Sequence, residues 1–155
     1  MKNTAQIKEK IKGKRIAAVD YGLKRIGTAV TDELHITINP KKLFLRESKD
    51  FPNAFYDFLK QENIGAVVIG IPFHHEKNSS NIIDNIRSFE NELKEMTGLD
   101  VFEVDESYTS VQAVETMINI GTKKKKRSQK GSKDLIAAAL ILKQFLSEIE
   151  NYPMG

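Results

Sequence analysis

Four acids stand where apolar runs end or a helix begins. Asp20 closes "RIAAVD", Asp105 and Glu106 close "DVFEVDE", and Asp134 lies in the first turn of "SKDLIAAALILKQFLSEI". Taken singly, each has an ordinary role. Asp20 can bond the amides of the turn after it, and acids beside helix N-termini are favoured by the helix dipole. Taken together at one rim of a sheet, they repel one another and call for cations. Hard oxygen donors in a chain without cysteine suit Mg²⁺ or Mn²⁺. Two such ions about 3.5–4 Å apart can clamp the attacking and leaving oxygens of a phosphodiester cleavage.

The elements must bring these acids to one place. "RIAAVD" and "RIGTAVTD" read as two strands joined by the turn containing Gly22, so they pair antiparallel. "LHITIN" reads as a third, ended by Pro40. Phe51, Phe55, Phe58 and Leu59 recur at helical spacing, and "AVVIG" has the wholly apolar character of a strand covered on both faces. A loop spans residues 71–80. A second helix, with Ile82, Ile83, Ile86, Phe89 and Leu93 on its apolar face, ends at Gly98. "DVFEVDE" is the next strand, and "TSVQ" reads as a capping box, with Thr109 opening a helix that runs to Gly121. The last helix takes Ser132 as its N-cap. This order predicts an α/β fold: a mixed five-stranded sheet, with an antiparallel meander at one edge and parallel strands beyond it, flanked by helices. With "AVVIG" between the other two parallel strands, Asp20 and Asp105 stand about 9–10 Å apart. Gly70 leaves a gap between them.

Charge points to a partner. Net charge is only +3, but Lys123, Lys124, Lys125, Lys126, Arg127, Lys130 and Lys133 form one run without an acid. Residues 1–13 are a second basic segment. Such blocks serve as phosphate contacts, and the expected partner is nucleic acid. No apolar run reaches the roughly 18 residues of a membrane span, and the first fifteen residues lack the apolar stretch of a secretory signal. The absence of cysteine fits a reducing cytoplasm.

"AVDYGLKRIGTAVTD", "VVIGIP", "VDESYTS" and "KDLIAAALIL" resemble, in order and spacing, the motifs of the YqgF family of bacterial Holliday-junction-resolvase-like proteins. The resemblance runs from about Lys14 to Leu146. It implies one RNase H-like domain over residues 14–150 and a metal-dependent nuclease that processes the 5′ end of pre-16S rRNA in ribosome biogenesis. It assigns active-site roles to Asp20, Asp105, Glu106 and Asp134. Ser107 stands where the family motif carries an arginine, so Lys24, Arg25 or the lysine run are the cations left to meet the phosphate.

Two further readings stay open. One is a resolvase of branched DNA; the other is a non-catalytic RNA-binding protein of ribosome assembly, acting with the small subunit, which Ser107 favours. A nucleotide-binding ATPase ranks last, because actin-like folds need two lobes and 155 residues supply one. Monomer and homodimer are both compatible with the sequence. His74 and His75 are adjacent in an extended loop and point apart, which counts against a shared metal. The phenylalanines at helical spacing are core rather than base-stacking residues.

Overall fold

The computed structural model describes residues 4–72, 79–106 and 132–150. In chain order the elements are α1 (Thr4–Ile11), β1 (Arg15–Tyr21), β2 (Arg25–Thr31), β3 (Ile38–Leu45), α2 (Asn53–Gln61), β4 (Ile64–Ile71), α3 (Ser79–Thr97), β5 (Asp100–Asp105) and α4 (Ser132–Glu150). The expected helix from Thr109 to Gly121, the loop around His74 and His75 and the lysine run lie outside the described residues.

The five strands form one sheet in the order β3-β2-β1-β4-β5. β1–β2 and β2–β3 are antiparallel, while β1–β4 and β4–β5 are parallel. This is the predicted mixed sheet, with β4 between the other two parallel strands. Its residues are buried apart from a half-exposed Gly65. Alternation along the strands divides the core in two. Ala17, Val19, Ile26, Val67 and Ile69 face α2 and α3, where Phe55, Phe58 and Phe89 complete an aromatic cluster. Phe44 meets Phe55 and Phe58 edge-on at 5.6 and 5.5 Å. Ile16, Ala18, Ala29, Ala66, Val68, Phe102 and Val104 face α4. Small residues on that side let a helix lie close.

The third strand differs from its expected span. It begins at Ile38, not Leu34, and continues through Pro40 to Leu45. β3 is a sheet edge, where a residue without N–H is tolerated. The pairing slips between Gly27 and Ala29, and there the Thr28 hydroxyl repairs the ladder. It donates to the Lys42 carbonyl (2.6 Å) and accepts from the Lys42 N–H (2.9 Å). Leu34 and Ile36 instead belong to a turn held by Asp32 Oδ1, which accepts from the N–H groups of Ile36 (2.7 Å) and Thr37 (3.1 Å). Both side chains are exposed.

Residues 4–11 of the basic N-terminal segment form a helix that seats Ile7 and Ile11 in the core beside α4, leaving Lys8 and Lys10 in solvent. α4 runs from the carboxyl rim of the parallel strands to the opposite end. Ile141 lies on Gly70, near the end of β4. One turn on, Phe145 stacks on Phe102 at 5.8 Å. At its far end, Glu150 Oε1 is 2.8 Å from His35 Nδ1, and His35 Nε2 is 2.7 Å from the carbonyl of Lys14, just before β1.

One buried acid lies away from that rim. Glu90 of α3 is 5% exposed. Burial, a hydrogen bond with Glu103 and the charge of Glu103 push its carboxyl up to about 8, against opposing charge from Lys94 and Arg87. The folded protein therefore binds a proton that the unfolded chain releases in the ordinary carboxylate range. The stabilisation is complete below that range and is lost as pH rises through about 8. The melting temperature is expected to fall between about pH 6 and about pH 9, and Glu90→Gln, which keeps the neutral shape, should flatten that fall. Melting curves across this range for parent and variant check it; parallel curves would show that Glu90 does not carry the proton.

Candidate active site

β1 alternates Ile16 and Ala18 toward α4 with Ala17, Val19 and Tyr21 toward α2 and α3. Asp20 follows in the first set, so its half-buried carboxylate is on the α4 side of the sheet. The chain must then reverse at once. The Gly22 N–H donates to the carbonyl of Arg25 (2.9 Å), and a Cβ at Gly22 would lie 2.8 Å from that oxygen. No other residue fits the turn without moving backbone.

Arg46, just after β3, braces the same turn. Its N–H donates to the carbonyl of Lys24 (2.9 Å), its Nη1 donates to that of Leu23 (2.7 Å), and its guanidinium carbon lies 4.6 Å from the centre of the Tyr21 ring. Burial pushes the Tyr21 phenol above its ordinary value, against the opposing charge of Arg46. Nothing in the sequence singled out Arg46, because its partners are backbone carbonyls and a ring from another strand.

Register gives Asp20 its surroundings. It pairs with Gly27, and Gly27 pairs with Leu43. On the other flank Val19 pairs with Ile69, so the next step along both strands sets Asp20 level with Gly70. The carboxylate thus stands between two glycines, with strands about 4.8 Å apart. The space over Gly70 is not the open gap that the sequence implied. Ile141 fills it: a Cβ on Gly70 would lie 2.6 Å from Ile141 Cδ1 and 2.8 Å from Cγ1. That same point is 3.4 Å from Glu106 Oε2, so the Glu106 carboxylate edges the slot from the β5 side.

The acidic pair after β5 is therefore divided. Glu106 follows Phe102 and Val104 on the α4 side and shares the face of Asp20. Asp105 follows Val101 in the alternation, toward the α3 side. Its backbone carbonyl accepts from Gln144 Nε2 of α4, and the Glu106 N–H donates to the Ile71 carbonyl (2.9 Å), which fixes where the strand ends. Asp134 is the third residue of α4, two helical turns before Ile141 and so about 10 Å further toward the rim. Its side chain lies outside the described residues. Among the described residues no three carboxylate or histidine side chains converge on a cation; Asp20 and Glu106 make a pair of hard oxygen donors on one face.

Of the expected phosphate contacts, Lys24 is exposed on the turn and Arg25 half-buried beside it. They border an open cleft of about 730 Å³ with Leu43, Leu45, Glu47 and Ser48. Lys123, Lys124, Lys125, Lys126, Arg127 and Lys130 lie outside the described residues. No helix is long and apolar enough to cross a membrane among the described residues.

The profile of the RuvX family, described as Holliday junction resolvase, matches residues 14–148. A protein of Amoebophilus asiaticus named "Putative pre-16S rRNA nuclease" is 36% identical over 139 residues, covering 89% of this chain and 97% of its own. One of the same name from Bacteroides fragilis is 37% identical over 133 residues, covering 85% and 95%. Among solved structures, Thermus thermophilus RuvC in complex with a Holliday junction substrate has a TM-score of 0.57 at 14% identity, covering 88% of this chain and 96% of that one. The fowlpox virus Holliday junction resolvase has a TM-score of 0.56 at 17% identity, covering 88% and 99%. These neighbours share the RNase H-like fold expected from the motifs. With a family profile spanning most of its length and relatives above one-third identity, the chain belongs to the RuvX family, the Holliday junction resolvase family of that description.

Proposed function

We propose that this protein is a nuclease that hydrolyses phosphodiester bonds in structured nucleic acid, with the 5′ end of pre-16S rRNA as its substrate in ribosome biogenesis. The observation that carries this reading is the pair Asp20 and Glu106, on one face of the sheet and on either side of Gly70, under the helix whose first turn bears Asp134. The names of the relatives supply the substrate. The family description supports a second reading, cleavage of branched DNA, so both substrates belong in one assay. A cysteine-free chain is at home in a reducing cytoplasm.

The donor set fits magnesium or manganese. Asp20, Glu106 and Asp134 are the residues that would hold it, whereas Asp105 follows the opposite face and meets Gln144 through its backbone carbonyl. Bound there, divalent cations supply Lewis-acid stabilisation of the charge that builds on the phosphate. The chain's own part is to hold the carboxylates close, to hold the Asp20 strand end rigid through Arg46, and to exclude water from the inner wall with Ile141. Lys24, Arg25 and the lysine run orient the backbone without reading sequence.

Asp20→Asn is expected to lower cleavage by at least ~100-fold, about 2.7 kcal/mol of barrier, while leaving nucleic-acid affinity near that of the parent. Millimolar Mg²⁺ or Mn²⁺ should raise the melting temperature of the parent, because a ligand held only by the folded state stabilises it, and Asp20→Asn should blunt that rise. Turnover on precursor rRNA and on a four-way junction, beside melting curves with and without metal, separates these effects. Full activity in a folded Asp20→Asn variant would remove this residue from the site.

Replacing Lys124, Lys125 and Lys126 by Ala is expected to weaken binding equally for all sequences. The slope of log affinity against log salt should flatten by about 2 for single strands and nearly 3 for duplex. Stability should change by no more than about 0.5 kcal/mol. A salt titration of parent and triple variant checks it; an unchanged slope would assign the run to ordinary solvated charge.

A further inference from the structure

The cleft beside the Gly22 turn is built differently from a phosphate-tracking groove. Leu43 pairs with Gly27 and Leu45 with Arg25, on the same face as Asp20, since directly paired antiparallel residues share a face. Leu43 is two strands from Asp20, about 9–10 Å, and the intervening Gly27 adds no side chain to the floor between them. Leu45 is 58% exposed at its mouth, and Leu23 on the adjoining turn is 66% exposed. Lys24 and Arg25 supply two cations on one wall; Glu47 and Ser48 close the other. The walls are fixed: Arg46 ties the turn to the end of β3, and the Ser48 N–H donates to the Leu45 carbonyl (3.1 Å).

A groove that only follows phosphates has no use for leucines at its mouth, and a carboxylate in it is unfavourable. Both make sense around a base. Leucine is among the side chains that wedge against unstacked bases, and a glutamate accepts from the exocyclic amino group of cytosine. Uracil would set a carbonyl oxygen against the same carboxylate. The volume, about 730 Å³, lies within the usual range of small-ligand pockets.

We propose that this cleft holds one unstacked nucleotide of the substrate, with its phosphate between Lys24 and Arg25, its base on Leu43 and Leu45, and an exocyclic amino group facing Glu47. The protein then selects a substrate with an unpaired, amino-bearing base near the bond presented to Asp20. The inference rests on the nucleic-acid reading above and adds to it a requirement for local strand opening and a base preference.

The test is a set of single-stranded oligonucleotides, and the same strands in duplex, carrying cytosine, uracil or an abasic site at each position in turn. Affinity is measured in the Asp20→Asn background so that binding is read apart from cleavage. At one position cytosine should bind about tenfold tighter than uracil, and an abasic site should bind as weakly as uracil or weaker. Pairing that position in a duplex should remove the preference. Glu47→Gln, which can both donate and accept, should reduce the cytosine-to-uracil ratio to about twofold or less. Leu45→Ala should weaken base-bearing strands and leave the abasic strand unchanged. Melting curves verify that each variant is folded; Glu47→Ala serves as a second variant at the acid and should also lose the preference. Binding that is equal for all three substituents at every position would overturn this inference while leaving the nuclease reading intact. No binding to any strand would overturn the nucleic-acid reading itself.

Discussion

Everything at the carboxyl rim depends on how closely α4 can approach the sheet at Gly70. Ile141 sits where any larger residue in β4 would place a Cβ. That contact sets the height of the helix, and the height sets where its first turn stands relative to Asp20 and Glu106. Partial burial of carboxylates is costly unless they are bonded or charge-compensated. On the α4 face Asp20 stands between two glycines, Gly27 and Gly70, the second covered by Ile141. The rest of that face is largely aliphatic, with Phe102 stacked on Phe145 and the buried Thr31 hydroxyl accepting from the Ile16 N–H.

Much of this order was legible in the residues. β4 declared itself by an unbroken apolar run, which only a strand covered on both faces sustains. α3 was marked by its periodicity and by Gly98, whose φ of 69° ends the helix in the left-handed region. What was not legible was register. A shift of one residue exchanges the faces of a strand, so "VDE" alone could not say which acid joins Asp20. The division between Glu106 and Asp105 comes from pairing with β4. Pro40 misled for a related reason: a proline stops a strand only where its missing N–H was needed, and at the sheet edge it was not. Gly27 was visible as a glycine, but its place beside Asp20 depends on the length of the turn.

β5 carries acids on both of its faces, and the protein treats them in opposite ways. Toward α3, Glu103 meets the buried Glu90, and the two share a proton rather than an ion. Toward α4, Glu106 edges the slot over Gly70 that Ile141 fills. The sheet thereby separates the Glu90–Glu103 pair from the acid that shares a face with Asp20. The two sets are only a few residues apart, which makes the sheet itself the insulator between them.

The helix α1 changes what counts as the domain. Family likeness begins at residue 14, yet Ile11 is fully buried and Ile7 nearly so against α4, upstream of that boundary. Burying two such side chains contributes roughly 3–6 kcal/mol by area, which offsets part of the entropy lost in ordering the helix. The matched region and the hydrophobic core therefore have different borders on this chain: the core takes in the apolar side of a basic helix that precedes residue 14.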